Sequence, residues 1–228
     1  GSANATGTFN YTVTLSGAST SQTVTGTITI NAAATTNNSG SISFVNGTCQ
    51  CPNATVGDTD VINGVTYTAV DNTTIAGEIA NNNVNLCTTL VTNMSSLFAG
   101  NTSFNSNIGF WDTSNVTTMG DLFQSADNFN QDISGWDVSN VTNMNNMFKY
   151  ARSFNQNIGS WDVSSVTTMS VMFTEADNFN QDISGWIVTN VNNMFAMFNS
   201  ADDFNQDLSG WCVSNISSVP SQFSTGSE

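Results

Sequence analysis

Five tryptophans stand at Trp111, Trp136, Trp161, Trp186 and Trp211, each 25 residues from the next. Other apolar positions keep the same interval. Phe104, Phe129, Phe154, Phe179 and Phe204 form a second column, Met94, Met119, Met144, Met169 and Met194 a third, and Phe98, Phe123, Phe148, Phe173, Phe198 and Phe223 a fourth. A fixed interval of this length marks a repeat architecture, in which a unit too small to bury its own apolar face buries it on its neighbours. Residues 90–228 are therefore read as one array, with the Trp column as its core ladder. A row of sugar-stacking platforms is the alternative use of the same tryptophans.

Within one unit, Met119, Leu122, Phe123 and Ala126 fall at i, i+3, i+4 and i+7, the spacing of one helical face. Ser139 or Asn140 ahead of Val141 supplies an N-cap in the next copy. The stretch from Phe129 to Val138 is too short for a second helix of that kind and is read as a turn with a short strand near Ile133 to Trp136. Strands of successive units pair in parallel at about 4.8 Å, whereas packed helices need about 10 Å. That mismatch predicts an α/β fold: a curved parallel solenoid of five repeats, each of ~25 residues.

The N-terminal part carries a different pattern. Phe9, Tyr11, Val13 and Leu15 alternate with polar residues, as do Val24, Ile28 and Ile30, so residues 1–31 are read as a β-hairpin. Residues 32–40 read as a linker, and residues 41–89 as a small β-rich cap on the first coil. In the cap, Asn63-Gly64 is a type I′ hairpin signal, and Thr74 to Ile79 reads as a short helix.

Charge excludes whole classes of function. Lys149 and Arg152 stand alone against 17 Asp and Glu, there is no His, and the formal net charge is −15. Nothing here neutralises phosphates, which argues against nucleic acid and anionic membrane surfaces as partners. Without His, the Ser-His-Asp and Cys-His arrangements cannot be built, and only a carboxylate pair remains for catalysis. The carboxylates come in ladders rather than as one pair, so no catalytic residue is assigned and the chain is read as a non-enzyme. At 39% hydrophobic and 10% aromatic it can form a core, yet no apolar run approaches the roughly 18 residues of a membrane span.

The unit Phe129-Asn-Gln-Asp-Ile-Ser-Gly-Trp-Asp-Val-Ser-Asn-Val-Thr-Asn-Met-Asn-Asn-Met-Phe148 resembles the BspA-like bacterial surface repeats, which are relatives of leucine-rich repeats. The likeness covers about 90–223, and Ile62 to Tyr67 with Leu86 to Met94 is similar to the lead-in of such arrays. It implies an extracellular, cell-surface location and a binding or structural role, and it transfers no catalytic motif. Ile187 and Cys212 depart from it, standing where Asp is expected after Trp. Gly7 to Leu15 and Thr25 to Ile30 resemble the last two strands of the immunoglobulin-like modules of secreted adhesins, which implies that residue 1 lies inside a module.

Polar columns remain. Asn105, Asn130, Asn155, Asn180 and Asn205 suit a buried amide ladder that satisfies backbone groups between coils. Thr117, Thr142 and Thr167, with Gln131, Gln156, Gln181 and Gln206, offer a periodic face for ice or crystalline polysaccharide. Stacked Asp112, Asp137 and Asp162 must be relieved of repulsion, either by Asx-turns or by cations such as Ca2+ bridging them to Asp132, Asp182 and Asp207. In a neighbouring column Arg152 interleaves Asp127, Asp177 and Asp202.

The four cysteines fit an exported protein. Cys49 and Cys51 are too close in sequence to favour each other, so one of them is expected to pair with Cys87, and Cys51–Cys87 is the chosen structural disulfide. Closing that loop of 36 residues is worth about 3–4 kcal/mol. Cys49 and Cys212 are then left for a partner elsewhere in a longer chain or for a head-to-tail link between subunits. The expectation is a bacterial extracellular structural or adhesive protein that partners itself as a filament subunit; a monomeric adhesin that binds a surface glycan or protein is the alternative.

Overall fold

The computed structural model describes residues 7–15, 22–30 and 40–224, so most of the expected linker lies outside the described residues. β1 (Gly7–Leu15) and β2 (Gln22–Ile30) form an antiparallel pair, from Gly7 opposite Ile30 to Leu15 opposite Gln22. Threonine and β-branched residues dominate both, which suits extended backbone.

Two tight turns build the cap. β3 (Ser43–Val45) and β4 (Thr48–Gln50) pair across Asn46-Gly47, whose φ angles are 51° and 90°. β5 (Thr59–Ile62) and β6 (Val65–Asp71) pair across Asn63-Gly64, at 52° and 80°. A type I′ turn needs positive φ at both central residues, which Asn-Gly tolerates best. The second turn is the expected one; the first has the same dipeptide and was legible in the same way. From β6 the chain passes through α1 (Ile75–Ala80) to β7 (Leu86–Leu90), which lies parallel to β6. Asp71 launches α1 by accepting the amides and hydroxyls of Thr73 and Thr74 at 2.8–3.1 Å.

The array overturns the α/β reading. Among the described residues α1 is the one α-helix, and the rest is strand, bridge and turn. The spacing of Met119, Leu122, Phe123 and Ala126 comes from consecutive turns. The amides of Leu122, Gln124 and Ala126 donate three residues back, to Met119, Asp121 and Phe123, at 3.0–3.2 Å. Those between them, on Met119, Asp121, Phe123 and Ser125, donate to Asn143, Asn145, Met147 and Lys149 of the next coil at 2.7–2.9 Å. A helix would send each amide four residues back. Here Asp121 and Ser125 sit at φ 58° and 55°, and their counterparts Asn146, Tyr150, Val171, Glu175, Ala196 and Ser200 are also left-handed. A right-handed helix excludes such residues.

The strand expected near Ile133 to Trp136 is also absent, its place taken by a turn in which the Trp136 amide donates to Ile133. Parallel pairing falls instead on single bridges linking Asn93, Thr118, Asn143, Thr168 and Asn193 in order. Among the described residues the array has no layer of helices, so the mismatch of helix and strand spacing that predicted curvature is absent.

The core is aromatic. Phe98, Phe123, Phe148, Phe173 and Phe198 stack along the array with centroids 5.5–5.6 Å apart, and each lies 3.8–4.1 Å from the Phe of the second column in its own coil. Offset stacking of this kind contributes about 0.5–1.5 kcal/mol per pair beyond the area it buries.

Candidate functional site

The ladders join one coil to the next. Trp111, Trp136, Trp161 and Trp186 are at most 4% exposed, and each indole Nε1 donates to a carbonyl of the preceding coil, or of the cap for Trp111, at 3.0–3.2 Å. Trp211 makes the same bond to Ile183 but is only partly buried. The column therefore acts as core and clamp, and the first four rings offer no face to a sugar.

The Asn ladder forms, but on exposed and half-buried residues rather than the buried ones expected. The side-chain oxygens of Asn105, Asn130, Asn155 and Asn180 accept the amides of Asn130, Asn155, Asn180 and Asn205 at 3.0–3.2 Å. The same oxygens accept Nε2 of Gln131, Gln156, Gln181 and Gln206 at 2.6–2.9 Å. Thr117, Thr142 and Thr167 donate their hydroxyls to carbonyls of the preceding coil at 3.0–3.1 Å. Groups proposed for a periodic external target are thus engaged within the stack.

Each acidic column closes on its own turns. Asp112, Asp137 and Asp162 accept the amides of Ser114, Ser139 and Ser164 at 3.0–3.2 Å, and Asp132, Asp182 and Asp207 accept those of Ser134, Ser184 and Ser209 at 2.9 Å. Hydrogen bonds from these serines hold the carboxyls of Asp132, Asp162, Asp182 and Asp207 below the usual carboxylate range. The Asp132 column has a second device: Asn107 and Asn157 make the same turn with Gly109 and Gly159 at 3.0 Å, so neutral and charged members alternate as far as Asp182. The glycines are required there, because a Cβ on Gly109 or Gly159 would lie 2.4 Å from the carbonyl oxygen of Asp132 or Asp182. No three His, Cys, Asp or Glu side chains among the described residues converge as metal ligands.

Arg152 interleaves its column as expected, pairing with Asp127 at 3.6 Å and Asp177 at 3.3 Å, and it adds Glu175 at 2.8 Å, which the column pattern did not reveal. Burial pushes the Asp177 carboxyl up despite the opposing pull of Arg152. The side chain of Arg152 is 45% exposed, so such pairs add at most about 1 kcal/mol each. Lys149 Nζ and the Arg152 guanidinium also lie 4.9 and 5.6 Å from the Tyr150 ring centroid, which places both cations of the chain within one cluster.

The cap meets the array as a coil would. The Cys49 amide donates to Phe110 at 2.8 Å and Thr88 Oγ1 to the Asp112 carbonyl at 2.9 Å, while Thr89 Oγ1 donates to the buried Asp112 carboxylate at 2.7 Å. Asn115 Nδ2 donates to Thr89 at 2.8 Å, as Asn140 Nδ2 does to Ser114 one coil later.

All four cysteines stand as free thiols in this structure, and in the expected Cys51–Cys87 pair Cys51 Sγ faces the Cys87 carbonyl at 3.5 Å. Cys49 is fully buried, so it is not placed to bond another subunit, and Cys212 is the exposed cysteine.

The ends differ from the flank. Among the described residues, the exposed large hydrophobics are Phe44, Val45, Val56, Val61 and Val65 in the cap, then Ile187, Phe195, Val213 and Val219 towards the last coil; none lies between. An apolar cleft opens at that last coil, lined by Met194, Leu208, Trp211, Val213, Ile216 and Phe223.

A family model described as "Mycoplasma protein of unknown function, DUF285" matches residues 68–164 and again residues 133–228. No curated protein and no solved structure matches the chain.

Proposed function

The chain belongs to the DUF285 family, and from that premise we propose that it is a non-enzymatic structural protein of the bacterial cell surface that assembles head to tail into filaments. The observation that carries this reading is the confinement of exposed large hydrophobics to the cap and the last coils, with a polar flank between them. Polar ladders along that flank satisfy one another, and the formal charge of −15 keeps flanks of separate molecules apart. The cleft beside Trp211 presents the kind of surface that each earlier coil buries under its successor. A second copy offering its apolar cap would continue the stack, and a heterologous contact that does not close makes a fibre. The likeness of the repeat to BspA-like surface repeats, and of β1 and β2 to the end of an immunoglobulin-like adhesin module, supports the extracellular location.

Size-exclusion chromatography with light scattering, followed by electron microscopy over a concentration series, tests the proposal. It predicts open-ended species that Val213→Asp with Val219→Asp reduces to monomer. A wild-type monomer at every concentration would contradict it and would favour the adhesin alternative, to be pursued on glycan and protein arrays.

A further inference from the structure

Cys49, Cys51 and Cys87 are each fully buried in one small cluster with Ile42 and Ala69, apart from the aromatic core of the array. Cys49 and Cys51 bracket the end of β4, and Cys87 lies on β7. Cys51 Sγ is 3.5 Å from the Cys87 carbonyl, its amide donates to Thr89 Oγ1 at 3.0 Å, and the Cys49 amide donates to Phe110. Cys87 shares that buried cluster with both other cysteines.

We infer that Cys87 is the hub of a disulfide that takes either Cys49 or Cys51 as its partner while the chain folds, and that the third thiol stays free. Closing the bond fastens β4, the strand that pairs onto the first coil, to β7 of the neighbouring sheet. The oxidant is a low-molecular-weight or protein disulfide. The Cys87 thiolate attacks one of its sulfurs and expels the other as a thiolate, leaving a mixed disulfide; Cys49 or Cys51 then attacks Cys87 Sγ and expels the second thiolate. Two protein thiols lose two electrons and two protons, and one external disulfide becomes two thiols. Burial and thiol–thiol hydrogen bonding raise the Cys51 and Cys87 thiols well above their ordinary range, which suppresses the thiolate once the cap has closed. The bond is therefore set during folding and is not toggled in the finished protein.

The test uses the full chain in a Cys212→Ser background, refolded in oxidised and reduced glutathione, denatured, and alkylated for thiol counting by mass spectrometry. The expected result is one free thiol of three, and a peptic cross-link joining the Cys49/Cys51 peptide to the Cys87 peptide. Adding Cys49→Ser or Cys51→Ser should leave the cross-link and remove the last free thiol, whereas adding Cys87→Ser should leave both remaining thiols free. Three free thiols, or a cross-link lost on removing Cys49 alone or Cys51 alone, would overturn the proposal. The cross-link measured before any of the three is replaced keeps it falsifiable should a variant fail to fold.

Discussion

The cap and the array solve one problem, satisfying the backbone of a chain with few charges, by different means. In the cap, residues 40–90, partners are set by two Asn-Gly turns and a parallel pair of strands, so local sequence decides register. In the array each coil alternates short-range turn bonds with bonds to a residue 24 positions away, and translation decides register. Turn-built coils gain no regular element of their own. Their order comes from stacking, and a defect in one coil is felt by its neighbours.

The largest effect that separates the two regions is core truncation. Phe148→Ala, in the middle of the stacked rings and fully buried, should cost about 3–5 kcal/mol in guanidinium unfolding. Phe44→Ala in the cap, where the ring is 37% exposed, should cost about 1 kcal/mol or less. Equal losses would break the comparison.

Close approach between coils gives the next effect. Gly159→Ala places a methyl 2.4 Å from the Asp182 carbonyl oxygen and should cost about 1–3 kcal/mol. Gly135→Ala meets nothing within 4 Å and should gain about 0.4–1 kcal/mol by restricting the unfolded chain. Val171 is a third site, a β-branched residue at φ 61° in a column that elsewhere holds Asp121 and Asn146. Val171→Asn should raise stability by about 1 kcal/mol, because asparagine tolerates the left-handed region.

Acid gives the smallest effect. The carboxyls of Asp132, Asp162, Asp182 and Asp207 are lowered from 3.8 in the fold. Their stabilisation is complete above the unfolded value and is lost as pH falls through the folded ones. Asp177, which is raised, runs the other way: the folded state takes up its proton first, so acidification through that range favours folding. Replacing Asp132 and Asp182 with Asn, which keeps the turns as Asn107 and Asn157 do, should flatten the acid limb of the unfolding midpoint against pH.

Much of this was legible in the residues. The four apolar columns, the Asn ladder, the Asn63-Gly64 turn and the Arg152 column were readable because each depends on spacing or on a local dipeptide. Coil conformation was not, since Met119, Leu122, Phe123 and Ala126 satisfy helical spacing equally well as successive turns. The signal that distinguishes them is the left-handed column, and Gly100, Asp121 and Asn146 hint at it while Val171 and Tyr150 conceal it. Which apolar residues stay uncovered was not legible, since Ile187 continues the Asp137 and Asp162 column and Val213 the column of buried Val138, Val163 and Val188. Cys87 was matched with Cys49 or Cys51 from the sequence, but burial of all three in one cluster required the packing of β4 against β7.

Through-hydrogen-bond scalar coupling in labelled protein tests the central claim most directly. The stacked-turn account predicts coupling from the Phe123 amide nitrogen to the Met147 carbonyl carbon of the next coil. Coupling from that nitrogen to the Met119 carbonyl would contradict it and restore the helix.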